Sequence, residues 1–333
     1  MQLNSFQENF PVTEHTFVAI HNNRNFLFVK ITSLLRSIFL ALFFFIIQFS
    51  ASTCLGEKIP VITSIYPIAD MIQQVGGDLV DVTCVLQAGD SPHTFEPKPS
   101  LVKKFSSARI FFIVGAGFEF WAQKFVNLSG KRIKTVVLSQ GVSLIHTTEH
   151  HHDKKDVSDH KSAVANPHIW LDPEIAKSMV KKIIAALCEV DRQNIKYYKQ
   201  HGQMYLDELD KLHRLIKATV ETFSIRKYVS FHASWDYFAR SYGLESVGVI
   251  ESAPGRDPTP LQIRNIIALI KKYRIRAVFA EPQLNPRAAK VIAREANVNV
   301  LLLDPLGGSE IKKRSTYLDL MKYNLSVLQE AMK

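Results

Sequence analysis

From Asp172 to Phe223 the chain carries about 50 residues of helical pattern with no strand signal, and on both sides of that stretch short apolar runs alternate with amphipathic helices. Asp172-Pro173-Glu174 is a helix start, with Asp as N-cap, Pro in the first turn and an acid near the positive end of the helix dipole. Ile175, Met179, Ile183, Ala186 and Leu187 then recur on one face, and a second amphipathic run follows from Ile195 to Phe223. A flexible linker would be rich in Gly, Ser or Pro, so this stretch is expected to be a rigid connector. A chain of 333 residues with 47% hydrophobic content is long enough to build a core on either side of it. The expected fold is therefore α/β, with two lobes of mainly parallel sheet joined by a long rigid helix. Its divisions are a signal region 1–53, an N-terminal lobe 54–171, the connector 172–223 and a C-terminal lobe 224–333.

In the first lobe, strands are expected at Pro60 to Ile65, Val80 to Leu86, Arg109 to Val114 and Thr135 to Leu138, with helices between them. In the second, strands at Lys227 to Phe231, Val247 to Ile250, Arg276 to Ala280 and Val298 to Leu303 alternate with helices, and a last helix starts at Tyr317. Gly115-Ala116-Gly117 is only half of a dinucleotide fingerprint, because Phe120 stands where the third glycine would be. A nicotinamide or flavin site is not expected.

The N-terminus points to export. Arg24, Lys30 and Arg36 precede an apolar run from Ile38 to Ile47, followed by Ser50, Ala51, Ser52 and Thr53. That run is short for a membrane span but suits a signal-peptide core with cleavage near Ser52 or Thr53; an uncleaved anchor is the alternative. Cys54, Cys84 and Cys188 are an odd number, and none has metal-ligand spacing. The net charge of +10 raises nucleic acid as a partner, yet Lys and Arg are interleaved with acids, as in Asp207 to Lys211, and no DNA- or RNA-reading motif occurs. No nucleic-acid partner is expected.

Four positions carry the candidate chemistry. His93 lies in Asp90-Ser91-Pro92-His93-Thr94-Phe95-Glu96-Pro97, and His168 in the Pro-bounded, extended segment Asn166-Pro167-His168-Ile169-Trp170-Leu171-Asp172-Pro173. His232 and Asp304 each follow the carboxyl end of an expected strand, as does Glu281. Ligands of α/β sheets gather beyond such strand ends, so convergence on a buried metal between the lobes is the reading to test. Three imidazoles and one carboxylate satisfy tetrahedral zinc, whereas manganese would draw more oxygen. Glu281 and Asp304 are both plausible fourth ligands. Asp304 is assigned to the metal, and Glu281 to orienting a ligand ring. Asp172 is assigned to capping, and His201 and His213 to the surface. Between residues 146 and 161, His146, His150, His151, His152 and His160 stand among acids and lysines without apolar periodicity, which reads as a mobile loop able to trap zinc weakly.

The ordered set Asp90 to Pro97, Pro167 to Pro173, Phe231-His232-Ala233, Phe279-Ala280-Glu281-Pro282-Gln283 and Leu303-Asp304-Pro305-Leu306-Gly307 closely resembles the zinc and manganese solute-binding proteins of bacterial ABC importers, from about residue 58 onward. The resemblance implies two α/β lobes joined by a long helix, with Zn2+ carried between them as cargo for a membrane permease driven by an ATPase, in the periplasm. It also implies that histidine at position 232 goes with zinc, where manganese members carry Glu, and that a His-rich loop marks zinc members. The extension before Ile38 departs from the pattern, and there is no cysteine pair in the second lobe. A monomer is expected. The alternatives are a manganese-binding member, a surface adhesin, or an exported zinc hydrolase using Glu281 to activate a metal-bound water. No HExxH or serine-nucleophile motif supports the hydrolase, and no enzyme activity is expected.

Overall fold

A computed structural model describes residues 35–39, 57–92, 94–96, 98–129, 133–147, 164–251 and 256–333. Leu35 to Phe39 are helical and exposed, and no helix among the described residues is long and apolar enough to cross a membrane. The rest of the apolar run to Ile47, the cleavage region at Ser52 and Thr53, and Cys54 lie outside the described residues, as do His93, His150, His151, His152 and His160.

The first sheet is built from β1 (Ile59–Thr63), β2 (Val80–Cys84), β3 (Ile110–Ile113) and β4 (Lys134–Val137), all parallel, in the order β2-β1-β3-β4. Helices α1 (Tyr66–Gly76), α2 (Leu101–Ser107) and α3 (Ala122–Ser129) connect its strands. Two short strands, β5 (His146–Thr147) and β6 (Val164–Ala165), pair antiparallel. His146, expected in a mobile loop, is thus tied into a two-residue ladder opposite Ala165. Ile169–Leu171, expected to be extended, form one turn of 3-10 helix with all three side chains buried.

The connector is a helical hairpin rather than a single rod. Helix α4 (Pro173–Val190) ends at Asp191, a short 3-10 turn spans Arg192–Asn194, and α5 (Ile195–Glu221) runs back against α4. Asp191 pins the reversal by accepting from Gln193 N at 3.2 Å, Asn194 Nδ2 at 2.7 Å and Tyr198 Oη at 2.8 Å. The two helices approach closely where Gly202 faces Ile184, since a Cβ at Gly202 would lie 2.3 Å from Ile184 Cδ1. Helix α5, with 27 residues, is about 40 Å long and packs on α1 and on the C-terminal helix.

The second sheet contains β7 (Lys227–Ser230), β8 (Glu245–Val249), β9 (Ala277–Ala280) and β10 (Asn299–Leu302) in the order β10-β9-β7-β8, again all parallel. Its helices are α6 (Asp236–Tyr242), α7 (Pro260–Tyr273), α8 (Arg287–Ala296) and α9 (Tyr317–Met332). Counted from its own first strand, each sheet has the order 2-1-3-4, so each reverses its winding between its first and third strands. The inner strands are apolar runs buried on both faces, as Ile110 to Phe112 and Ala277 to Ala280 show. One hydrophobic core is continuous through both halves and takes in Phe111, Trp170, Leu209, Phe279 and Tyr317; a smaller one, centred on Val229, Ile266 and Ile292, belongs to the second sheet.

Candidate metal centre

The two winding reversals are occupied differently. In the first sheet the carboxylate of Glu119 fills the crevice, accepting from Ser64 Oγ at 2.6 Å, Val114 N at 2.8 Å and Gly115 N at 3.0 Å. Burial pushes its pKa up, and these donors oppose that rise without cancelling it.

In the second sheet, Ser230 of β7 pairs with Phe279 of β9. Two residues beyond each, that register brings His232 beside Glu281, and the His232 Nδ1 to Glu281 Oε1 distance is 2.7 Å. Ser234 Oγ donates to the same oxygen at 3.0 Å. Burial lowers the pKa of His232, but the neighbouring carboxylates Glu281, Glu251 and Asp236 outweigh it and hold the imidazole above its ordinary value.

His168 arrives from the first half on the turn that follows Pro167. Asn166 Oδ1 accepts from the His168 backbone N at 3.1 Å and lies 2.8 Å from its Nδ1, while Asn166 Nδ2 donates to Ala233 O at 2.6 Å. The Asn166 amide therefore orients the ring and ties it to the loop bearing His232. Trp170, wholly buried, packs against both His168 and Phe118 and donates its Nε1–H to Pro305 O at 2.8 Å.

With Asn166 Oδ1 against one Nδ1 and the Glu281 carboxylate against the other, each ring is oriented with its Nε2 toward the other. The two Nε2 atoms face one another at 3.1 Å, with His168 5% and His232 7% exposed. Two lone pairs held so close repel unless a proton or a cation lies between them. Two imidazoles on tetrahedral zinc, with bonds of about 2.0 to 2.1 Å, are separated by about 3.3 to 3.4 Å, so the pair fits that ion with a shift of a few tenths of an ångström. The rings open on a cavity of about 10 Å³, also lined by Ser91, Pro92, Trp170, Glu281 and Gln283. It has room for an ion or a single water.

Of the residues expected to converge, His168 and His232 meet here. His93 lies outside the described residues, but Ser91 and Pro92, which precede it, line the cavity. Among the described residues no three His, Cys, Asp or Glu side chains form a cation cage. Asp304, the expected fourth ligand, is engaged elsewhere. Its Oδ2 accepts from Arg314 Nη1 at 2.6 Å, and its Oδ1 accepts from Gln283 Nε2 at 3.0 Å and from the amides of Leu306 and Gly307 at 3.0 and 3.1 Å. It is fully buried and lies behind the cavity wall rather than in it, with Gln283, Pro305 and Leu306 in front.

Asp172 caps α4, accepting from Glu174 N at 2.9 Å, and its other oxygen accepts from Ser241 Oγ. His201 and His213, expected at the surface, are half-buried: His201 stacks on Tyr197, and His213 Nδ1 lies 3.0 Å from Tyr242 Oη. Cys84 and Cys188 are free thiols, and burial pushes Cys84 up to about 12. Sequence reasoning passed over Asn166 and Arg314. Asn166 was open to detection, because a short amide two residues before a candidate ligand is placed to orient its ring; Arg314 gave no local signal.

Two parallel α/β sheets of like topology, with histidines from each half meeting over an ion-sized cavity, define a two-lobed solute-binding protein. Residues 61–331 match the family described as ZnuA, zinc-uptake complex component A, periplasmic, and the chain belongs to that family. It is 26% identical over 282 residues to the high-affinity zinc uptake system protein ZnuA of Bacillus subtilis (strain 168), covering 83% of this chain and 88% of that protein. It is 28% identical to the zinc-binding protein AdcA of Streptococcus pyogenes serotype M3, over 82% of this chain but only 56% of AdcA. Among solved structures, a ZnuA crystal structure superposes with a TM-score of 0.74 at 29% identity, covering 83% of this chain and all of that one. Family membership makes the chain a solute-binding component and not an enzyme.

Proposed function

We infer that this chain captures Zn2+ outside the cytoplasm and hands it to the permease of an ABC importer powered by an ATPase. The observation that carries this reading is the facing Nε2 pair, 3.1 Å apart, with Asn166 and the Glu281 carboxylate beside the far nitrogens. His168 and His232 bind the ion through Nε2, and His93 supplies a third imidazole from the loop that begins at Ser91 and Pro92. Asn166 and Glu281 orient the rings, so both Nε2 atoms already point inward when the ion arrives. A cavity of about 10 Å³ accepts a dehydrated ion and has no space for an ester or peptide, which sets carriage apart from hydrolysis. The protein works in the periplasm as a monomer, exported by the apolar segment that begins at Ile38.

The test is titration of the purified protein with zinc and manganese, beside His168→Ala and His232→Ala. Zinc binds more tightly than manganese, and each substitution weakens zinc by at least about a hundredfold, as loss of a metal ligand does. Tighter manganese binding, or unchanged zinc affinity in His232→Ala, overturns the reading.

A further inference from the structure

The loop after β10 turns sharply and brings Arg314 back onto Asp304. Gly307 makes this turn possible: its φ is +64°, and a Cβ there would lie 2.7 Å from Arg314 O. Gly308 N donates to the same carbonyl at 3.2 Å, which fixes the return of the chain. The Arg314 guanidinium then sits 2.6 Å from Asp304 Oδ2, with its Cζ 4.9 Å from the Tyr323 ring centroid. Its side chain is 18% exposed, and that of Asp304 is not exposed at all. Gln283 donates to Asp304 on one side and lines the cavity on the other, so a single side chain stands between the carboxylate and the cavity.

A buried carboxylate behind the wall of a cation site becomes a strong oxygen ligand if it turns inward, unless another cation claims it first. Oxygen-rich shells favour manganese and imidazole-rich shells favour zinc. We propose that Arg314 sets the metal preference of this protein by holding the Asp304 carboxylate out of the ion's coordination shell. The proposal rests on the zinc-binding reading above. Arg314 is a positioning residue: it touches Asp304, not the ion. Its geometry suits the task, since a planar guanidinium that cannot lose its proton competes with a bound cation across the whole physiological pH range.

The test compares zinc and manganese affinities of the full chain by chelator competition in the wild type, Arg314→Leu and the double variant Arg314→Leu/Asp304→Asn. In Arg314→Leu, Oδ2 loses its cation while Oδ1 keeps its neutral donors; the released charge turns to the ion, and manganese affinity rises relative to zinc by about tenfold or more, with the change seen in the electron paramagnetic resonance of bound Mn2+. The double variant loses that gain, because the oxygen ligand is gone. An unchanged manganese-to-zinc ratio in Arg314→Leu, or a gain that persists in the double variant, overturns the proposal. Should the leucine variant not fold, Arg314→Gln removes the charge with less loss of polar contact and is read in the same way. Failure of the zinc-binding reading has a different signature: wild-type protein that binds no zinc, or zinc binding indifferent to His232→Ala.

Discussion

Glu281, set behind His232, is the side chain through which the proposed site is most directly tested. It touches His232 at the nitrogen turned away from the cavity, and its negative charge strengthens the ring as a donor. Glu281→Gln keeps an acceptor but loses the charge, and is expected to weaken zinc by about 10- to 100-fold, measured by chelator competition. The same contact has a pH signature. The His232 pKa is raised in the apo protein, so the ring keeps its proton to a pH above the ordinary 6.5, and zinc must displace that proton to bind. Zinc affinity therefore falls as pH drops through this raised value, and Glu281→Gln moves the fall to lower pH. An onset in wild type at or below 6.5 contradicts this account. Stability of the apo fold runs the opposite way, because the His232–Glu281 attraction is fully present below the unfolded-state pKa and fades as pH climbs through the folded one. Thermal unfolding of the metal-free protein between about pH 5 and 8 reads that trend directly.

At the scale of elements, the α4–α5 hairpin depends on one absent side chain. Gly202→Ala forces its Cβ against the δ-methyl of Ile184 and is expected to cost about 1 to 3 kcal/mol, with part recovered by adding Ile184→Val, as read by denaturant unfolding. Asp172→Ala removes the α4 cap and strands Ser241, a loss of about 1 to 2 kcal/mol in the same assay. Much at this scale was legible in the sequence. Apolar runs punctuated by polar strand ends located all eight strands of the two sheets to within about three residues, and they placed His232 and Glu281 just past β7 and β9. Strand order was not legible, because periodicity reports which face is buried and not which strand lies alongside. The two helical runs of the connector were legible, but their reversal was not: Asp191 makes it without Gly or Pro, through three hydrogen bonds to its side chain. The Asp304–Arg314 pairing was not legible either, because Arg314 reaches the carboxylate through a loop whose path is set by tertiary contacts.

Across the whole molecule the two halves are fastened where residues 315–317 meet the first half. Tyr317 N donates to Asp70 Oδ2 at 2.8 Å, Tyr317 Oη donates to Trp170 O at 2.7 Å, and Tyr66 Oη donates to Ser315 O at 2.6 Å. Together with the continuous core, these bonds are expected to make residues 57–333 unfold as one cooperative unit, with equal calorimetric and van't Hoff enthalpies; two resolved transitions would show that the halves melt separately. Zinc at about a thousand times its dissociation constant adds about 4 kcal/mol to that single transition. The shared 2-1-3-4 order has one more consequence, because a fold that repeats its sheet could also repeat its socket. Glu119, tethered to its own chain, already occupies the first lobe's socket with Ser64 and two amides as its partners. A duplicated architecture is thereby expected to hold one buried ion per chain, which the zinc equivalents bound at the tight site in a titration would count.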